Sequence, residues 1–416
     1  MHKACGRLPC RPWVSVLWCC QQEAGPSAGN EGFFLKKTAL HIAFLVLYCL
    51  ALWIFNSNLE FTRPGDYPEG LEYARATVTR VVEQEMGPDP DFDYIQVGKQ
   101  TLELTIHGGE YAGKTITAPT FVTRTTQLAG QVGTKYIVGS YDGFTTSTIL
   151  YYDRTSLLVL LVAAFLAMVL FYGAKKGVAA IAGLVVTLLN VVFLFIPLLI
   201  NGMPAIPAAI LVVLLSSLYT MVVLNGVCRK SMIATLCCTA CTAFAGLLAW
   251  IVSKVGNIST LNTPEVEDLL FITQNSNFRI DNLLVAGILI AAMGAVMDTS
   301  MSIVSALYEL RDQNPGISRQ QLRQSGMNIG KDVMGTMTNT LVLAFAGSSL
   351  NLMVIYYMYC MPAISLLNTD FMVVEIVKGI IGSMAVVLAT PVTAIATSVL
   401  MEELPAPAPK KKAGAK

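Results

Sequence analysis

Residues Ala291–Leu310 read AAMGAVMDTSMSIVSALYEL, and how this stretch is understood decides the architecture of the chain. Nearly every residue is apolar or small, and twenty such residues are what a helix needs to cross a bilayer. Asp298 nevertheless sits inside it, with Thr299, Ser300, Ser302 and Ser305 close by. A carboxylate at the centre of a membrane helix costs about 2.5–3.5 kcal/mol on insertion scales. The residue is therefore either hydrogen-bonded packing or a group whose charge is used.

Working outward, the composition agrees with a membrane setting. Of 416 residues, 54% are hydrophobic and only 13% charged, with a mean hydropathy of +0.59; soluble domains carry roughly 25% charged residues. The net charge of +1 gives no signal of a nucleic-acid partner. The ten cysteines form neither a disulfide framework nor a zinc pattern: none lies between Asn56 and Arg154, and Cys237, Cys238 and Cys241 sit in an apolar run without a histidine. They read as small residues at helix contacts.

Eight apolar segments are long enough to span: 38–56, 155–174, 177–200, 204–224, 232–253, 281–308, 333–359 and 372–400. The first lacks a small-residue cleavage site in NSNLE (Asn56–Glu60) and reads as an uncleaved anchor. Lys36 and Lys37, Lys175 and Lys176, Arg229 and Lys230, Arg311 with Arg319, Arg323 and Lys331, and Lys410–Lys412 fall in alternate loops. The intervening loops are poor in Lys and Arg, with Lys254 and Arg279 the minor exceptions. The positive-inside rule then places both termini in the cytoplasm.

The expected domains are a disordered cytoplasmic arm (1–35), a first transmembrane helix (36–56), an extracytoplasmic β domain (57–154), a seven-helix membrane bundle (155–401) and a disordered basic tail (402–416) near lipid headgroups. Period-two alternation in ARATVTRVV and KQTLELTIHGG, then in TKYIVGSY and FTTSTILYY, predicts a small all-β barrel, OB-like or SH3-like. It should fold without metal or disulfide; His107 reads as a surface residue. TPEVEDLLFI, with Thr263 as N-cap, predicts a short helix in the loop after span five. SRQQLRQSGMNIG, capped at Ser318, predicts a separate amphipathic helix lying along the cytoplasmic interface between spans six and seven.

On a helix, Asp298, Ser302, Ser305 and Glu309 share one face. In the next span Asp332, Thr336, Asn339 and Thr340 share another, with Gly335 and Gly347. The two helices are antiparallel and the stripes lie at matching depth, so a hydrogen-bonded seam is expected, with Asp298 facing Thr336, Asn339 and Thr340 as a proton or cation site. Glu375 and Lys378 read as a local ion pair, and Asn190 and Asn225 as packing or cap positions.

AAMGAVMDTSMSIVSALYEL followed by LRQSGMNIGKDVMGTMTNTLVLAFAGSSL resembles the signature of the YibE/F-like multipass bacterial membrane proteins, over most of the chain from the first span to the eighth. That resemblance implies a bacterial cell-membrane location and carries over no site residues. The plan of one span, an outer domain and a bundle is also similar, more distantly, to SecD/SecF-type and resistance-nodulation-division proteins. Membrane carboxylates in those proteins take part in proton use. This chain departs from them in having two additional spans before the Asp segment and a small outer domain.

Two functions follow as expectations: a proton- or ion-coupled transporter or motor-like component acting through Asp298, or a non-transporting scaffold whose β domain binds a partner or envelope component. The expected partners are the bilayer and a proton or cation. An enzyme is not expected. His2, His41 and His107 form no HExxH, no second deep Asp completes a protease dyad, and no P-loop is present. No cofactor is expected.

Overall fold

A computed structural model describes residues 46, 48–57, 70–262, 266–274 and 277–402. The expected arm 1–35, the basic tail beyond residue 402, the first half of span one and Thr263 lie outside the described residues. The chain divides into two compact units, Gly65–Tyr172 on one side and Met1–Pro64 with Gly173–Lys416 on the other.

The smaller unit carries five antiparallel strands: β1 (Glu72–Pro88), β2 (Gln96–His107), β3 (Thr115–Val122), β4 (Lys135–Ser140) and β5 (Thr148–Tyr152). They are ordered β3-β2-β1-β4-β5. The expected small barrel takes the form of a half-barrel. The alternation seen in the sequence is the reason it has a core. Gln100, Leu102, Leu104 and Ile106 of β2 point inward, as do Ile116, Ala118, Thr120 and Val122 of β3. Register places Leu104 opposite Ile116 and Val78, and Ala76 opposite Tyr136. Two register shifts in β1, at Val78/Arg80 and Val81/Glu83, bend the longest strand. His107 is exposed, with its Nε2 2.9 Å from Thr77 Oγ1.

The β1–β2 hairpin is held by one ionic cluster. Asp89 accepts from the backbone N–H groups of Asp91 (2.9 Å) and Phe92 (3.2 Å), and from Arg124 Nε at 2.6 Å. Arg124 also pairs with Asp91. The guanidinium of Arg124 is the main reason that the Asp89 carboxyl sits below its ordinary value. A depressed folded-state value stabilises the hairpin above the unfolded-state value, about 3.9, and that stabilisation is lost as pH falls through the folded value. Hydrogen-exchange protection of residues 89–95, compared with Asp89→Asn at matched pH, should favour the parent at about pH 5 and converge with the variant at strongly acidic pH. A gap that persists in strong acid would contradict this.

Helices make up the larger unit, while nearly all of the first long helix after the strands falls in the smaller one. α1 spans Tyr48–Ser57, α2 Thr155–Ala174 and α3 Lys176–Ile200. α2 and α3 are separated by a kink at Ala174, whose φ is +44°, and α3 contains a π turn at Val191–Phe195. Then come α4 (Ala205–Asn225), α5 (Arg229–Val255), α6 (Val266–Gln274), α7 (Leu283–Gln313), α8 (Arg319–Ser348), α9 (Leu350–Met358), α10 (Ala363–Leu366) and α11 (Asp370–Glu402). Among the described residues six helices are long and apolar enough to cross a membrane, and a seventh span appears if the bent pair α8–α9 counts as one. The first expected span is represented by α1, whose described part has ten residues.

The prediction of a separate interfacial helix before span seven is corrected. Ser318 does cap a helix, with a full capping box to Gln321, but α8 then runs unbroken for 30 residues and the break comes at Ser349, where α9 turns by 61°. Gly326 and Gly330 do not end the helix; they let it pack. A Cβ on Gly330 would lie 2.4 Å from Thr390 Cγ2 and 3.0 Å from Ile303 Cδ1, and one on Gly326 would lie 3.0 Å from both Ala394 Cβ and Leu307 Cδ1. Each partner pair is also one turn apart, so α7, α8 and α11 meet along small-residue faces.

Elsewhere, α1 is tied to the bundle through Asn190, which is fully buried. The Asn190 side chain accepts from the Tyr48 hydroxyl and donates to Ser216 Oγ at 2.9 Å. Cys237, Cys238 and Cys241 are buried; Cys238 and Cys241 lie in the cluster that α5 forms with α7 and α11. Lys378 pairs with Glu375 at 2.6 Å.

Candidate functional site

Asp298 is the middle residue of the 31-residue α7. The helix is amphipathic in an unusual sense. One side, with Ala292, Val296, Ser300, Ile303 and Leu307, is buried. Ser300 accepts a hydrogen bond from the Thr393 hydroxyl of α11 at 3.3 Å. Asp298 lies two residues from Ser300, about 200° away around the helix, and is exposed together with Ser302 and Glu309, while Ser305 is half-buried. Glu309 accepts from Gln313 Nε2 at 3.1 Å. The polar stripe predicted along α7 is therefore continuous from mid-helix to the helix end, and it faces away from the bundle core.

On α8, Asp332, Thr336, Asn339 and Thr340 are also exposed. The contacts of Gly326 with Leu307 and of Gly330 with Ile303 fix the antiparallel register of α7 and α8. Five residues back from Ile303 and five on from Gly330 put Asp298 level with Gly335 and next to the level of Thr336. Of the expected partners, Thr336 lies nearest the depth of Asp298, and Asn339 and Thr340 lie a turn or more away.

The expected closed seam is not formed among the described residues. Thr336 donates to Val333 O at 2.9 Å and Thr340 to Thr336 O at 2.9 Å, both within their own helix. Asp298 has no hydrogen-bond or ionic partner among the described residues. The physical reason is that the glycines, not the polar stripes, form the α7–α8 contact, which turns each stripe away from that contact. Beside Asn339 lies an open depression of about 390 Å³ lined by Met334, Gly335, Thr338, Val342 and Val387. The Thr338 hydroxyl is buried there without a partner among the described residues.

Two features escaped the sequence reading. In the helical unit the hydroxyls of Thr235, Thr397 and Tyr308 are buried with no partner among the described residues; scattered Ser and Thr in apolar helices carry no signal of which ones face inward. At the end of the bundle that carries α6, a cavity of about 930 Å³ is lined by Trp250, Lys254, Phe278 and Arg279 among others. Lys254 and Arg279 had counted only as minor exceptions to a charge rule. No cluster of three or more His, Cys, Asp or Glu suited to a metal ion occurs among the described residues.

No curated protein and no solved structure matches the chain, so the likeness in plan to SecD/SecF-type proteins gains no support. A family model does match, and its extent corrects the expectation that the resemblance begins at the first span: it starts at residue 161, beyond the β strands. That model, described as YibE/F-like protein, matches residues 161–403, more than half of the chain and the whole α7–α8 region, and the chain belongs to this family.

Proposed function

We propose that this membrane protein is a proton- or cation-coupled component of a transport or motor-like system, with Asp298 as the group whose charge state is used. One observation carries the proposal: a carboxylate at the centre of an apolar helix that none of the described residues neutralises. As a packing device, a neutral polar side chain would serve with far less penalty. Ser302, Ser305 and Glu309 supply a polar route from Asp298 to the end of α7, and Asp332, Thr336, Asn339 and Thr340 supply its counterpart on α8. The basic loops support a bacterial cell-membrane orientation with both termini cytoplasmic, which makes the Glu309 end the inner one. We assign no enzymatic activity and no cofactor. The test is proton or cation flux in proteoliposomes, parent against Asp298→Asn; equal flux at equal abundance would remove the proposal's support.

A second role, partner binding by the β unit, rests on a specific surface. Phe92, Tyr94 and Phe121 are exposed, with Arg124 5.3 Å from the Phe92 ring centre and Lys99 6.0 Å from that of Phe121. If this is the main function, substituting these aromatics should abolish it while Asp298→Asn leaves it intact.

A further inference from the structure

We infer that the open faces of α7 and α8 form a two-fold interface between two copies of this chain, and that Asp298 is completed by Asn339 of the second copy. The inference rests on the same carboxylate as the proposed function but not on transport.

Glycines separate this face from the rest of the bundle. Gly183, Gly246, Gly326, Gly330 and Gly382 each have a side chain against the place where a Cβ would stand. Gly287 and Gly294 on α7 and Gly335 and Gly347 on α8 have nothing within 4 Å, which elsewhere in these helices is true of Gly173, beside the kink at Ala174. Glycine inside a helix is unfavourable relative to alanine, and within the chain these four gain no close contact in return. Gly287, Ala291 and Gly294 fall on the Asp298 side of α7, so another helix can approach closely at the carboxylate.

Depth selects the occupant. Two copies inserted the same way are related by an axis along the membrane normal, which leaves depth unchanged. Asn339 is level with Gly294, one helical turn, about 6 Å, from Asp298. Side chains lean towards the N-terminus of their own helix. On antiparallel helices Asp298 therefore leans towards the level of Asn339, and Asn339 towards the level of Asp298. The Asn339 amide has no partner among the described residues and offers two donors to an acceptor-only carboxylate. Since acceptor and donor lie on one chain at converging depth, a two-fold rotation meets both needs twice. A different protein would have to carry both complements itself. The depression beside Asn339 gives an incoming side chain room.

Disulfide trapping tests this. Two differently tagged full-length chains, one carrying Asp298→Cys and the other Asn339→Cys, are co-expressed with their other cysteines, except the buried Cys237, Cys238 and Cys241, replaced by serine. Oxidation of membranes should give a mixed-tag dimer. In the otherwise unaltered chain, Gly294→Leu fills space that is empty within one copy; it should leave helix content intact and convert the purified dimer to monomer. No mixed-tag dimer at normal abundance, or a dimer indifferent to Gly294→Leu, would overturn the interface. A monomer whose flux still depends on Asp298 would overturn this inference alone. A dimer whose flux is unchanged by Asp298→Asn would overturn the proposed function alone.

Discussion

Asp298→Asn is expected to reduce proton or cation flux in proteoliposomes to that of protein-free vesicles, while membrane abundance and thermal stability hold or rise. Asparagine keeps the volume of the side chain and can still hydrogen-bond, so the packing of α7 is undisturbed; within the chain no bond is broken, because Asp298 makes none among the described residues. What disappears is the ability to carry a negative charge. Insertion scales put the cost of that charge at about 2.5–3.5 kcal/mol at mid-helix, so a neutral variant that lost activity without losing stability would show that the charge is retained for use. The opposite combination is equally informative. A variant as active as the parent would make Asp298 a structural residue and shift attention to the β unit. Asp298→Leu does not discriminate, since it removes the polar group that any partner of the stripe would need.

The helices were legible because their signal is length and apolarity, which burial does not alter: Thr155–Ala174, Ala205–Asn225 and Asp370–Glu402 start and stop within about two residues of the expected spans. The strands were legible because one face of the sheet is a core and the other is open, as the alternation in β2 and β3 records. Two things were hidden. SRQQLRQSGMNIG reads as a separate amphipathic helix because it is polar and begins at the Ser318 cap, but sequence does not show that its two glycines pack against other helices. Gly326 and Gly330 face Leu307, Ile303, Ala394 and Thr390, residues up to sixty-eight positions away, and those distant contacts keep α8 continuous. The direction of the polar stripes was hidden for the same reason. Helical periodicity groups Asp298 with Ser302 and Glu309, and Thr336 with Asn339 and Thr340, but it does not say which face of α8 meets α7. The close-packed glycines decide that, and they turn the stripes outward.

Gly330→Leu is therefore expected to be among the most damaging single substitutions in the helical unit. The first added atom already meets Thr390 Cγ2 at 2.4 Å and Ile303 Cδ1 at 3.0 Å. Thr390 cannot yield freely: it is buried, and its hydroxyl donates to Gly330 O at 3.2 Å. Ile303 is fully buried and shares a core with Leu307, Leu322 and Ala394. Relief would require α8 to move away from α7 and α11 together, which would also lift Gly326 off Leu307 and Ala394. Overpacking of this kind typically costs about 1–3 kcal/mol and more where the backbone must shift, so the variant should be largely lost from the membrane fraction or unfold well below the parent in detergent. Gly335→Leu, five residues on along the same helix, is the control. Its Cβ would meet nothing within 4 Å, and each solubilised copy should melt close to the parent. If the two variants are equally stable, the packing of α7, α8 and α11 through Gly330 is wrong, and with it the register that puts Asp298 at the level of Gly335.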